Sequence, residues 1–167
     1  MADELDVLTL HGTVPLQLAH RFGRRFAQRR RGAIILVSSI IAASPVPFEA
    51  NYAAVKAYVL SLGQALHYEL KKDGVDVLVV SPGPTRTEGL EHAVGIDFSK
   101  VAGPKMAPAR VARTALDALG KRAHVIPGAA NVMADLVGKF LLPRRLSVRT
   151  YAAIIGRALT GETRNAS

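Results

Sequence analysis

Leu10, Val14, Leu18, Phe22 and Phe26 fall at every fourth position, the spacing that lines one face of a helix. The stripe predicts a helix over about residues 5–28, closed before Gly32, and Pro15 inside it predicts either a kink or the helix's true start. Ala33-Ile34-Ile35-Leu36-Val37 is a short, unbroken, β-branched run, which predicts a strand covered on both faces. Val55, Val59, Leu62, Leu66 and Leu70 supply the buried stripe of a second helix over residues 50–72, which Lys71, Lys72, Asp73 and Gly74 bring to a stop. Val75 to Val80 reads as another strand, ended by Pro82-Gly83-Pro84. Residues 90–107 are weakly periodic and predict a mobile loop. A third helix is expected from Pro108 to Leu119 with Gly120 as its cap, then a brief strand His124-Val125-Ile126, then helical stretches at about 131–141 and 147–159.

Helices alternating with apolar strands predict an α/β fold: a parallel sheet of about three strands with helices on its faces. At 167 residues the chain has the length of one domain, spanning 1–167, with enough residues to bury a core without staples. A sheet this small has an open edge. An edge strand as apolar as Ile34 to Val37 is an aggregation hazard unless something covers it.

Composition removes several chemistries. There is no cysteine, hence no disulfide framework, thiolate metal site or cysteine nucleophile. His20, His67, His92 and His124 have no convincing metal-ligand spacing, so no metal is expected. The fourteen glycines are widely separated, the nearest pair being Gly156 and Gly161, with Glu162 following. A dinucleotide fingerprint needs glycines two apart, and a phosphate loop needs lysine after its second glycine; neither is present.

The acidic start Met1-Ala2-Asp3-Glu4 is unlike a signal peptide. The longest uncharged apolar run, Ala33 to Ala43, is too short to span a bilayer, so a cytoplasmic protein without membrane association is expected. The formal charge is +9, and Arg21, Arg24, Arg25, Arg29, Arg30 and Arg31 supply much of it within eleven residues. The two aromatic residues among them, Phe22 and Phe26, belong to the apolar stripe, so these cations read as a solvated helix C-terminus that complements the macrodipole rather than as a nucleic-acid site.

In open α/β sheets chemistry collects beyond the carboxyl ends of the strands. The first strand ends in Ser38-Ser39, and thirteen residues after Ser39 the next helix opens with Tyr52-Ala53-Ala54-Val55-Lys56. Tyr52 and Lys56, at i and i+4, share a helix face. A phenol titrates near 10, so a neighbouring cation is what brings it into use near neutrality. Ser39 can then hydrogen-bond a carbonyl or alcohol oxygen while Tyr52 exchanges the proton.

Ser39, Tyr52-Ala53-Ala54-Val55-Lys56, Gly74-Val75-Asp76-Val77 and Pro82-Gly83-Pro84-Thr85-Arg86-Thr87 together resemble the C-terminal two thirds of a short-chain dehydrogenase/reductase, most specifically over residues 32–89. The resemblance implies a Rossmann-like sheet and hydride transfer between NAD or NADP and a small-molecule carbonyl or secondary alcohol. It implies Tyr52 as acid/base, Lys56 lowering the tyrosine pKa and binding the nicotinamide ribose, and Ser39 orienting the substrate oxygen. It implies that Thr85 and Thr87 hold the carboxamide, with Pro82 and Gly83 shaping their loop.

Where the family carries a catalytic asparagine, the ungapped register places His11, with Thr9 as the competing register. Val55 stands where serine is common. The family's first strand and glycine-rich turn precede this region and have no counterpart here, so the sheet is expected to be truncated at its N-terminal half. Free NAD(P)H is expected to bind weakly or not at all. The alternative reading is a non-catalytic remnant or interaction module. In the family, helices matching 5–28 and 50–72 pack against another subunit, which predicts a homo-oligomer.

Overall fold

The computed structural model describes residues 2–87, 97–101 and 105–159. Helix α1 (Ala2–Leu8) runs through a π turn at Thr9–Thr13 into α2 (Val14–Gln28). Pro15 explains the irregularity: it has no N–H to donate and sits at the second position of α2, so the widened turn absorbs the break, with Val14 N–H donating to the Thr9 carbonyl. Of the two expectations for Pro15, the start of a helix is the one met, since α2 begins at Val14.

Strand β1 (Gly32–Val37) pairs in parallel with β2 (Val75–Val80), Gly32 opposite Val75 and Val37 opposite Val80. β2 pairs in parallel with the short β3 (His124–Val125), giving the order β1-β2-β3. Helix α3 (Ala50–Lys71) connects β1 to β2, and α4 (Pro108–Ala118) leads into β3. α5 (Ala129–Leu136), continued by a π turn at Val137–Leu141, and α6 (Arg144–Ala158) follow. The expected loop over 90–107 falls largely on residues outside those described. Within it stand a single 3-10 turn at Phe98–Lys100 and a bridge pairing Met106 with Thr85.

β2 is the hub of the core. On one face Val79 packs with Leu36, Val59 of α3 and Ala19 of α2; on the other Leu78 and Val80 pack with Ala115 and Ala118 of α4. Gly63 lets α3 lie this close, since a Cβ there would run into the Val79 side chain. A third cluster, Val46, Ala53, Ile155 and Ala158, joins the loop before α3 to α6.

The expectation that β1 is covered on both faces fails. Only Leu36 of this strand is buried, and Val37 is 54% exposed. The reason is position: β1 is an edge strand, and its apolar run faces an open groove of about 500 Å³ between itself and α2. The stripe on α2 lines that groove, which leaves Leu18 48% exposed and Phe22 39% exposed.

Candidate active site

The carboxyl ends of β1 and β2 meet the start of α3. Ser38 N–H donates to the Val80 carbonyl, extending the ladder by one residue, and the buried Ser38 hydroxyl donates to the Lys56 carbonyl at 2.7 Å. Ser39 follows at the head of a 3-10 turn (Ile40–Ala43), its Oγ accepting from Ile41 N–H at 3.4 Å. Ile40 N–H donates to the Pro82 carbonyl at 3.1 Å. The loops after β1 and β2 are thus tied together at the point where an open α/β sheet offers a site.

Lys56 is 5% exposed. Its ammonium donates to the Val37 carbonyl at 3.1 Å and lies 3.5 Å from His11 Nδ1. It also stands 5.3 Å from the centre of the Tyr52 ring, while the His11 and Tyr52 rings meet edge to face with centroids 5.3 Å apart. α1 is held to α3 at this level by Asn51 Nδ2, which donates to the Glu4 carbonyl and carboxylate at 2.8 and 2.6 Å. The structure therefore gathers His11, Tyr52 and Lys56, with Ser39 in the adjoining turn. Of the two registers, His11 is the one whose side chain reaches Lys56; Thr9 is exposed at the start of the same π turn.

The electrostatics differ from expectation in one respect. Tyr52 is pushed above the ordinary phenol range, first by burial and then by the Glu49 carboxylate, rather than lowered by Lys56. The ammonium lies over the ring and is engaged by Val37 and His11. Burial also lowers Lys56 itself. Burial and then the Lys56 charge hold His11 below the usual imidazole value, and burial and then Glu4 raise Glu49.

The Pro82–Thr87 loop is shaped by Gly83, where a Cβ would come within 2.5 Å of Asn131 Oδ1. Asn131 in turn donates to the Pro127 carbonyl at 2.8 Å. Thr85 Oγ1 donates to the Gly83 carbonyl at 2.9 Å, and the backbone on either side of Thr85 pairs with Met106. Thr87 is exposed at the loop's end.

Four participants escaped the sequence reading: Ser38, the Val37 carbonyl, Glu49 and Asn131. Of these only Ser38, adjacent to Ser39 at a strand end, carried a visible signal. The remaining described histidines are accounted for structurally. His67 bonds the Val77 carbonyl at 2.7 Å, His124 bonds Ser81 Oγ at 2.8 Å, and His20 is exposed. His92 lies outside the described residues. No helix among the described residues is long and apolar enough to cross a membrane.

The short chain dehydrogenase family signature matches residues 6–94, which takes in His11, Ser39, Tyr52, Lys56 and the Pro82–Thr87 loop. The chain belongs to the short-chain dehydrogenase/reductase family. It is 35% identical over 118 residues to the 7β-hydroxysteroid dehydrogenase of Collinsella aerofaciens, covering 70% of this chain and 45% of that one. It is 33% identical over 115 residues to the enzyme of the same name from Clostridium sardiniense, covering 69% and 44%.

Among solved structures, a 7β-hydroxysteroid dehydrogenase superposes with a TM-score of 0.75 at 29% identity, over 87% of this chain and 56% of that one. A short-chain dehydrogenase from Sphingobium yanoikuyae in complex with NADPH superposes with a TM-score of 0.62 at 31% identity, over 78% and 52%. The chain spans about half the length of the relatives it matches. It shares the Rossmann-like α/β architecture of its relatives.

Proposed function

We propose that the chain carries the acid/base half of an NAD(P)-dependent reductase acting on a ketone or secondary alcohol borne on a bulky alicyclic skeleton. The carrying observation is the contact set of Lys56 with His11, Tyr52 and the Val37 carbonyl at the carboxyl end of the sheet. The substrate class comes from the hydroxysteroid dehydrogenases among its relatives.

In this reading Ser39 donates a hydrogen bond to the substrate oxygen and fixes its distance from Tyr52. A phenol raised by burial keeps its proton at neutral pH, so Tyr52 acts as the general acid and delivers that proton to the oxygen of the ketone. Nicotinamide, when bound, supplies the hydride that reduces the carbonyl carbon. Lys56 keeps a cation 5.3 Å from the centre of the Tyr52 ring, on the helix face that the two side chains share.

The residues present fit the nicotinamide end of the cofactor. Lys56 would hold its ribose, and Thr85 and Thr87 its carboxamide, on a loop that Gly83 and Asn131 shape. Nothing in the glycine spacing fits the pyrophosphate, so binding of free NAD(P)H by this chain is weak. Fluorescence titration with NADPH and with NADH tests this, and saturation at micromolar concentration would refute it. Turnover of a 7-oxo steroid with NADPH tests the reaction; Tyr52→Phe abolishes it, and unchanged turnover would refute the acid role.

A second reading, an association module with 1–167 as one domain, is favoured by the apolar side chains left uncovered on α1, α2, α3 and the π turn that joins the first two: Leu5, Leu10, Leu18, Tyr58 and Tyr68. It predicts a homo-oligomer through these helices, read from the mass in light scattering across a dilution series.

A further inference from the structure

Lys56 has three N–H donors. One goes to the Val37 carbonyl at 3.1 Å and a second points at His11 Nδ1 at 3.5 Å, which leaves the third for the reacting side. A donating ammonium requires Nδ1 to be an acceptor, so His11 is the neutral tautomer with its proton on Nε2. The π turn at Thr9–Thr13 and the edge-to-face contact with Tyr52 hold the imidazole in that place.

We propose that His11 is a positioning residue that arms the site only while it is uncharged: neutral His11 steers the Lys56 ammonium, and protonated His11 releases it. This rests on the reductase reading above. Protonation of Nδ1 removes the acceptor and sets a second cation 3.5 Å from the first. Repulsion then drives Lys56 off its bond to Val37 and away from Tyr52.

The surrounding groups support a sharp response. From α3, His11 faces Lys56 and Tyr52, with Glu49 beyond Tyr52 and acting on it; from α1, Glu4 is engaged by Asn51 and acts on Glu49. β1 and the 3-10 turn after it carry no titratable side chain. Among the described residues no carboxylate acts on His11 to offset the lysine, and burial together with Lys56 places its titration below that of free imidazole.

Two measurements on the whole chain decide the matter. Imidazole ¹⁵N spectra should show the Nε2–H tautomer at pH 8 and a titration midpoint for His11 below 6.5, rising in Lys56→Met because the neighbouring cation is gone. An Nδ1–H tautomer, or a midpoint indifferent to Lys56→Met, overturns the proposal. In turnover, the acid limb of kcat/KM should follow that midpoint and flatten in His11→Asn, which keeps an uncharged acceptor. His11→Phe should lower kcat about tenfold at every pH with KM little changed. An acid limb that persists in His11→Asn overturns the proposal. Absence of turnover in the unmutated chain would count against the reductase reading alone, and the imidazole spectra would still decide the coupling of His11 to Lys56.

Discussion

Lys56 sends its backbone and its side chain to consecutive residues of the same strand end: its carbonyl accepts from the Ser38 hydroxyl at 2.7 Å, and its ammonium donates to the Val37 carbonyl at 3.1 Å. The two bonds lock the first turns of α3 against the end of β1, which is what sets Ser39 beside the Tyr52 and Lys56 face. A buried ammonium held by neutral acceptors is costly to desolvate. Lys56→Met should therefore leave stability within about 1 kcal/mol in urea unfolding. The same substitution removes the cation packed against the Tyr52 ring, so kcat should fall by on the order of 100-fold or more. Loss of activity in parallel with unfolding would show Lys56 to be a structural group instead.

Ser38→Ala separates the other half of that lock. The hydroxyl is buried and donates to the Lys56 carbonyl, an acceptor in the first turns of the helix. Removing it should cost about 1 kcal/mol. It should lower kcat/KM more than stability alone explains, since the helix start becomes free to shift. Equal urea midpoints for Ser38→Ala and the unmutated chain would show that the bond contributes nothing.

Stability should depend on pH through two groups with opposite signs. His11 titrates lower in the folded chain than unfolded, so the unfolded chain binds more protons between the two values, and stability rises with pH across that window. Its contribution is present above about 6.5 and is lost as pH falls through the folded value. Glu49 titrates higher in the folded chain. Its contribution is present below the ordinary carboxylate value and is lost as pH rises through the folded one. His11→Gln should flatten the first slope and Glu49→Gln the second in urea midpoints measured from pH 4 to 8. An unaltered profile in both would remove these groups from the balance.

Much of this arrangement was legible in the sequence because local spacing carried it. Tyr52 and Lys56 at i and i+4, Ser39 at a strand end and the stop at Gly74 each depend on a few neighbouring residues. The edge position of β1 was hidden because an apolar β-branched run reads alike with one neighbour strand or two. The raised Tyr52 pKa was hidden because Glu49 lies one turn before it on a helix start whose burial no pattern reports. The pairing of His11 with Lys56 joins residues 45 apart through a π turn, and only the register that set His11 at the family's asparagine position hinted at it.

The uncovered edge makes a prediction about association. Among the described residues β1 has no strand neighbour on one side, where Ala33 and Val37 are exposed beside an apolar groove, the configuration that templates edge-to-edge pairing. A charge pointing into that groove opposes it, so Ala33→Lys should lower concentration-dependent scattering without changing the far-ultraviolet circular dichroism. Unchanged scattering would move the association to another surface.

Gly63 tests how closely the layers fit. It is buried in mid-helix, where alanine is intrinsically better by about 1 kcal/mol, so propensity alone predicts that Gly63→Ala stabilises the chain. Packing predicts the opposite: the new methyl would overlap the Val79 side chain and sit 3.0 Å from Leu36 Cδ1, both in the cluster that joins α3 to the sheet. Overpacking of this kind costs about 1–3 kcal/mol, and Val79 lies at the hub of the sheet with no exposed side to move toward. The sum is a net destabilisation of up to about 2 kcal/mol, read as a lower urea midpoint with an unchanged slope. Pairing it with Val79→Ala should recover part of the loss, because the two substitutions share one space. A midpoint that rises in Gly63→Ala alone would mean that α3 stands farther from β2 than the close approach at Gly63 requires.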